Sequence, residues 1–367
     1  MSINNVPILY YHSVANHQSK NDWSFLSVDI LTFKLQMKLL SLLGYKSCNW
    51  KELYEHINGI KLLPKKTVMF HFDDGFLDNW TVVFPIMKKY DFKYSILITP
   101  EFIEKNKQTR TFVDHTTEEN KDLWWGYLSE GEIIEMSCSG LVDFQCHGYT
   151  HTWYESSDKI LDFFNGEDFM PHLKWNLNLD DKPFWLKKYD DMYVPLGYPI
   201  FEFKKSLELN KVFYPNPKFI NDCILEVKNN GYNKEQLLSI YNSYKTNNDL
   251  GQFETNIQTK NRLNNEILET RDYIKNLTGK DSSYIVFPGG GVNKEVRQFL
   301  KDNNFKLISK GNQLNGFNTK IFQVSRLAGF VDFKLGKFIN NVVNIPLLYL
   351  QLMRGHGNKL INKLIRR

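Results

Sequence analysis

Short apolar runs alternate with stretches of helical period along the first 150 residues. Val6 to Tyr11 is an apolar run with the length of a buried strand, and it ends on His12. Between Ser27 and Gly44 the residues Ile30, Phe33, Leu35, Met37, Leu40 and Leu43 approximate a 3.6-residue period, with Asp29 near the start and Gly44 as the stop. That pattern predicts a helix. Thr67 to Phe72 predicts a second buried strand, running into Asp73-Asp74-Gly75. A helix over Asn79 to Tyr90 and a strand over Tyr94 to Ile98 follow. Leu128 to Met136 then predicts a helix, and Leu141 to Gln145 a strand that leads into Cys146-His147-Gly148-Tyr149-Thr150-His151. Strand, turn, helix, strand is the rhythm of a parallel α/β fold.

Beyond Thr152 the rhythm stops. To about Gln252 the chain is rich in aromatics, Asn, Lys and Pro, including Trp153, Trp175, Trp185, Tyr198, Tyr214 and Pro215, and it reads as an insertion. The pattern returns with a long polar helix over Asn261 to Leu277, closed by Gly279. A strand at Tyr284 to Phe287, the turn Pro288-Gly289-Gly290-Gly291 and a helix from Lys294 to about Asn303 follow. The expected organisation is an α/β body over 1–340, interrupted by an aromatic-rich insertion over 153–255, and a tail over 341–367.

A chain with 42% hydrophobic and 24% charged residues folds, which excludes disorder, collagen and a small disulfide scaffold. The 15% aromatic share supplies rings that can stack on sugar faces, with Trp153, Trp175 and Trp185 as candidates, or that can form the insertion's own core. The net charge of +5 is unevenly placed: Phe333 to Arg367 holds seven basic residues and no acid, so the body is near neutral. A near-neutral body argues against nucleic-acid binding. The tail interleaves Leu347, Leu348, Tyr349, Leu350, Leu352, Met353, Leu360, Ile361, Leu364 and Ile365 with basic residues. Such a segment contacts anionic lipid, or else packs as a terminal helix on the body.

Cys48, Cys138, Cys146 and Cys223 show no CxxC spacing, which predicts free thiols in a reducing compartment. No secretory leader pattern opens the sequence, and the apolar patch Val342 to Leu350 is shorter than the ~18 residues of a membrane span. The expected location is cytoplasmic, peripheral at the inner membrane face if the tail binds lipid.

Candidate chemistry sits at the predicted strand ends: His12, Asp73-Asp74, His147 with His151, Pro288-Gly289 and, on Gln323-Val324-Ser325-Arg326-Leu327, Arg326. Each is ordinary alone, since a histidine after a strand is usually structural and Asp-Gly is usually a turn. Their setting matters more, because polar residues at strand C-terminal ends of parallel α/β folds tend to be functional. Two imidazoles four residues apart can face one metal, and a carboxylate completes a three-ligand site. Nitrogen and oxygen donors with open positions suit a divalent cation, Zn²⁺ above all.

These residues give the chain its resemblance to the polysaccharide deacetylases, the NodB-homology carbohydrate esterases of carbohydrate esterase family 4. Phe72-Asp73-Asp74-Gly75 resembles the family's first motif, His147-x-x-x-His151 its second and Phe287-Pro288-Gly289-Gly290 its third. Leu9-Tyr10-Tyr11-His12-Ser13 resembles the amino-terminal Tyr-His segment of the circularly permuted branch, in which the last motif's histidine comes first. The resemblance covers roughly 6–151 and 262–327 and implies an irregular parallel (β/α) barrel of seven strands, NodB-like, with a long inserted subdomain.

It further implies that Asp74, His147 and His151 hold the metal, that Asp73 is the general base and His12 the general acid. The backbone N–H of Gly289 joins the metal in stabilising the oxyanion. The reaction expected is removal of an N-acetyl or N-formyl group from an amino sugar of a cell-surface glycan or its lipid-linked precursor. Three positions depart from the family pattern. Gly148 replaces a Ser or Thr whose hydroxyl fixes the second-motif loop, leaving Thr150 to do so. Ile285 and Val286 offer no arginine, leaving Arg326 to orient Asp73. No Trp-containing fourth motif is found.

Two other readings use the same residues. A carbohydrate-binding relative that has lost turnover would keep the fold, although Asp73 and His12 both remain. A non-haem iron oxygenase also uses two histidines and a carboxylate. Its carboxylate usually lies near the first histidine, whereas Asp74 is 73 residues upstream of His147.

Overall fold

A computed structural model describes residues 5–16, 26–167, 171–312, 323–329 and 337–357. Seven parallel strands carry the fold: β1 (Ile8–Tyr11), β2 (Thr67–Asp74), β3 (Tyr94–Ile98), β4 (Val142–Cys146), β5 (Tyr284–Val286), β6 (Leu307–Asn312) and β7 (Gln323–Ala328). Neighbours in this order pair in parallel, the β4–β5 seam through Ile285 and Cys146 only. β1 pairs with both β2 and β7, so the ring closes. The two-residue strand Lys46–Ser47 is added along β2.

Alternation along the strands separates two cores. On β2, Met69 points inward with Ile8, Leu97, Tyr284 and Val286, above Trp50, while Val68, Phe70 and Phe72 join the larger core under the helices. His71 packs against Trp50, the rings tilted at 36° with centroids 4.6 Å apart. Asp73 continues the inward row at the open end. The register then levels the ends: Asp74 pairs with Ile98 and Ile98 with Cys146, so Asp74 and the residue before His147 lie in one row.

Helix boundaries follow local capping chemistry. The helix predicted from Ser27 runs over Ile30–Leu42, because Asp29 caps the amides of Leu31 and Thr32. The one predicted from Leu128 starts two residues later, at Glu130–Cys138, where Ser129 and Glu132 form a capping box. The polar helix begins earlier than its sequence pattern, at Asn256–Leu263 capped by Thr255, and continues through a π-type turn at Asn264–Glu269 into Thr270–Thr278. A second π-type turn, Asn79–Val83, follows the Asp73-Asp74 strand end.

The segment after β4 contributes an antiparallel pair, Trp153–Phe163 with Pro199–Lys205, and two helices, Pro217–Asn230 and Lys234–Thr246. Phe163, Phe201, Phe213, Phe219 and Leu237 form a core of its own. Trp175 and Trp185 are buried against Phe76, Phe102, Trp124 and Tyr127 of the barrel side, so they cement the segment to the barrel rather than offering open stacking faces. Trp153 stacks on His172 at 5.5 Å. The four cysteines are free.

Within the tail, the helix Lys337–Gly355 starts before the predicted boundary. It buries Asn344, Leu348, Gln351 and Leu352 and exposes Ile339, Val342, Tyr349 and Leu350. Gln36 on Ile30–Leu42 donates to the Asn344 carbonyl at 3.5 Å, which docks the two helices. Among the described residues no helix is long and apolar enough to cross a membrane. Leu360, Ile361, Leu364, Ile365 and the last basic residues lie outside the described residues.

Asp78, between the end of β2 and the π-type turn Asn79–Val83, is buried and accepts hydrogen bonds from Ser13 and from Asn79 Nδ2. Burial pushes its carboxyl up to about 7, against the pull of Ser13, the Val14 amide and Asn79. A raised carboxyl binds a proton in the folded chain that the unfolded chain has released. Its contribution is therefore full below about pH 4 and is lost as pH rises through about 7. Asp78→Asn, which mimics the protonated acid, is expected to gain stability relative to wild type as pH rises from 5 to 8. Urea unfolding midpoints across that range check this; a pH-independent difference between the two proteins contradicts it.

Candidate active site

The open end of the barrel brings together most of the residues singled out from the sequence. Asp74 lies with Nε2 of His147 at 3.2 Å and Nε2 of His151 at 3.3 Å from its Oδ1. The ligand atoms of the three all fall within 4.8 Å of one another. Asp74 and His151 have left-handed backbones, φ of 73° and 48°, at non-glycine residues. Such strain gathers where surrounding structure enforces a functional geometry. Here it turns the carboxylate and the second imidazole out of their regular elements toward a common point.

These residues fit a divalent cation. Asp74 Oδ1 is buried and has no hydrogen-bond partner, although two imidazole nitrogens stand next to it. Donors about 2.0–2.1 Å from a shared ion, at angles near 100°, stand about 3.2 Å apart. His147 Nδ1 lies 2.8 Å from the Val286 carbonyl and donates to it, which leaves Nε2 with its lone pair facing Asp74. Burial raises the Asp74 carboxyl, but His151 and the contacts with both imidazoles outweigh it and hold the group well below its ordinary value. The set is therefore an ionised carboxylate and two imidazoles.

Asp73 is held separately. Arg326 Nη1 donates to both carboxylate oxygens, at 2.6 and 2.8 Å, and both side chains are almost wholly buried. The strand register explains the reach: Leu327 pairs with Leu9, which places Arg326 below the Asp73 row, and its guanidinium rises over the Tyr10 ring at 4.7 Å. Burial pushes the Asp73 carboxyl up, and the charge and hydrogen bonds of Arg326 overcome this, bringing it to about 2. His12 Nε2 is 3.8 Å from Asp73 Oδ2. The loop carrying it is fixed by Asn79, whose Nδ2 donates to the His12 carbonyl at 2.9 Å. Burial lowers the His12 pKa, partly offset by Asp74 and Asp73.

Gly289 has a φ of 52°, and its carbonyl accepts from Lys205 Nζ at 2.6 Å. A Cβ there would meet only the flexible end of that lysine, so it is the left-handed backbone that favours glycine. Gly148 is also left-handed, with a φ of 81°, and a Cβ would stand 3.3 Å from Glu266 Oε2. The loop is fixed instead by Thr150, whose Oγ1 donates to Glu266 Oε1 at 2.5 Å, while Glu266 Oε2 accepts from the amides of Tyr149 and Thr150.

Sequence reasoning missed Glu266, Asn79 and Lys182. Glu266 had a signal: with Thr259, Leu263, Ile267, Thr270 and Ile274 it lies on the buried stripe of its helix, where an acid is out of place. Lys182 had none.

A family model of polysaccharide deacetylases matches residues 61–165 and 189–308, more than half of the chain. The chain belongs to the polysaccharide deacetylase family. Asp73, Asp74, His147, His151 and Gly289 lie in the matched blocks of this deacetylase family member; His12 and Arg326 lie outside them. YxkH of Bacillus subtilis (strain 168), which carries a provisional polysaccharide deacetylase name, is 34% identical over 93 residues, 25% of this chain and 31% of that protein. The match thus spans about a third of the length of that relative. Among solved structures, a de-N-acetylase from Aggregatibacter actinomycetemcomitans superposes with a TM-score of 0.55 at 17% identity, covering 92% of this chain and 100% of that one. Streptococcus pyogenes deacetylase PplD, in complex with acetate, does so with a TM-score of 0.51 at 16% identity, covering 96% and 99%. At these identities the two structures show that this deacetylase family member has their fold.

Proposed function

We propose that this chain is a metal-dependent hydrolase that removes an N-acetyl, or N-formyl, group from an amino sugar of a cell-surface glycan or its lipid-linked precursor. The observation that carries the reading is the convergence of Asp74, His147 and His151 beside an Arg-paired Asp73 and His12. Two imidazoles and one carboxylate suit Zn²⁺. When bound, the cation supplies Lewis acidity, activating water and polarising the amide carbonyl.

The chain's own groups then do the proton work. Asp73 stays ionised because Arg326 pairs with it, and it accepts a proton from water as the oxygen attacks the carbonyl carbon. Arg326 keeps the carboxylate turned toward the attacking side. His12, whose Nε2 is 3.8 Å away, takes that proton and delivers it to the amine nitrogen as the C–N bond breaks. Lys205 holds the Gly289 carbonyl, and we assign the Gly289 N–H to the developing oxyanion. Acetate and a free amine leave.

The test is acetate and formate release from N-acetyl- and N-formylhexosamine oligomers by metal-replete protein. Acetate release is expected, and Asp73→Asn should lower the rate by about 10²–10⁴-fold, the usual worth of a positioned base. Neither product above the blank would favour the non-catalytic carbohydrate-binding reading.

A further inference from the structure

The two imidazoles of the site are held in different ways. His147 is anchored through Nδ1 to the Val286 carbonyl. Nδ1 of His151 has no hydrogen-bond partner among the described residues. Apart from Asp74 and His147 on the side of the ligand cluster, its ring meets aromatic neighbours, Phe102 at 6.0 Å and Trp175 at 6.4 Å. The direction of His151 is therefore set by its backbone, which is itself in the left-handed region.

That backbone is held through the preceding residue. All three polar groups of Thr150 are bound: the amide and the hydroxyl by Glu266, and the carbonyl by Nζ of Lys182. Lys182 comes from the segment 166–188 that lies between the two blocks matched by the family model. Its side chain has no exposed surface. Nζ is paired with Glu101 Oε2 at 2.5 Å and sits over Phe102 and Trp175 at 5.1 and 5.8 Å. Glu101 closes the circuit, its amide donating to the Tyr149 carbonyl at 3.2 Å.

A fully buried lysine is rare, and replacing a buried ion pair by apolar groups of like volume is often neutral or stabilising to a fold. Stability of the fold is therefore a poor reason for an ammonium in an aromatic box. What it adds is a fixed donor on the one polar group of Thr150 that Glu266 cannot reach. We infer that Lys182 is a positioning residue for His151, through which the inserted segment sets the affinity of the site for a divalent cation. This rests on the metal reading above. Groups that orient metal ligands are typically worth 10–100-fold in metal affinity.

The experiment measures Zn²⁺ affinity of the full-length protein by competition with a chromophoric chelator, together with thermal unfolding of the metal-free form. Lys182→Met keeps an unbranched apolar stem without the donor. The expected result is a Kd for Zn²⁺ raised by about 10–100-fold, with a metal-free Tm below wild type because Glu101 loses its partner. A Kd within threefold of wild type overturns the inference. A lowered metal-free Tm with unchanged Kd does so too, since it assigns Lys182 to stability alone. Should Lys182→Met fail to fold, Glu101→Gln, which loosens Lys182 without removing it, is expected to raise the Kd about threefold or more, and an unchanged Kd overturns the inference. Wild-type protein that binds no Zn²⁺ removes the metal reading and this inference with it, an outcome distinct from equal binding by wild type and variant.

Discussion

Asp74→Asn is expected to abolish high-affinity binding of Zn²⁺ and to lower acetate release by about 10³-fold or more while leaving the metal-free fold intact. The substitution is chosen for its backbone. Asp74 has a φ of 73°, a conformation that asparagine tolerates better than any other non-glycine residue. The charge is thus removed without new strain. Asparagine has the same shape and keeps an oxygen, so the metal-free fold loses only the attraction between the charge on Asp74 Oδ1 and the two imidazoles beside it. In the loaded protein the same atom is the only anionic ligand of the three. Lewis-acid stabilisation of developing charge is worth several kcal/mol, and about 1.4 kcal/mol is tenfold in rate, which gives the stated loss. A metal titration, an acetate assay and a metal-free melting curve together check it. Retained metal affinity or retained turnover contradicts the assignment.

Arg326→Met produces the second large effect, and it falls on stability first. Arg326 and Asp73 have side-chain exposures of 5% and 3%, so removing the guanidinium leaves a buried carboxylate with its charge uncompensated. Breaking a buried pair in this way costs about 3–5 kcal/mol. Adding Asp73→Asn removes the stranded charge, so the double variant is expected to recover most of the lost stability while remaining inactive. Chemical denaturation of wild type, both single variants and the double variant reads the coupling directly. Additive effects would mean that the two side chains do not act as a pair, and that Asp73 is not oriented by Arg326.

The strand ends were legible because a buried parallel strand is an unbroken apolar run, and a polar residue that terminates it stands out. Thr67 to Phe72 leading into Asp73-Asp74, and Leu141 to Gln145 leading into His147, are of this kind. Arg326 could be suspected from the missing arginine near Val286, but its reach to Asp73 depends on the register of β1 with β7, which no local pattern encodes. The supports of the site were harder to read. Glu266 lies on an apolar stripe and could have been noticed. Lys182 sits in Asp180-Asp181-Lys182-Pro183, which looks like an ordinary solvated loop, and only tertiary packing buries it beneath Trp175 and Phe102. The aromatics of the insertion divided by burial rather than by type: Trp175 and Trp185 are packing residues, and composition alone does not tell a packed ring from an open one.

The proposed hydrolysis depends on a single ion shared by Asp74, His147 and His151. Crystals of the protein loaded with Zn²⁺, with anomalous data collected on both sides of the zinc absorption edge, test it most directly. One anomalous peak about 2.0–2.2 Å from Asp74 Oδ1 and from Nε2 of both histidines is the predicted result. A fully loaded crystal whose zinc lies elsewhere, or touches fewer than three of these atoms, contradicts it.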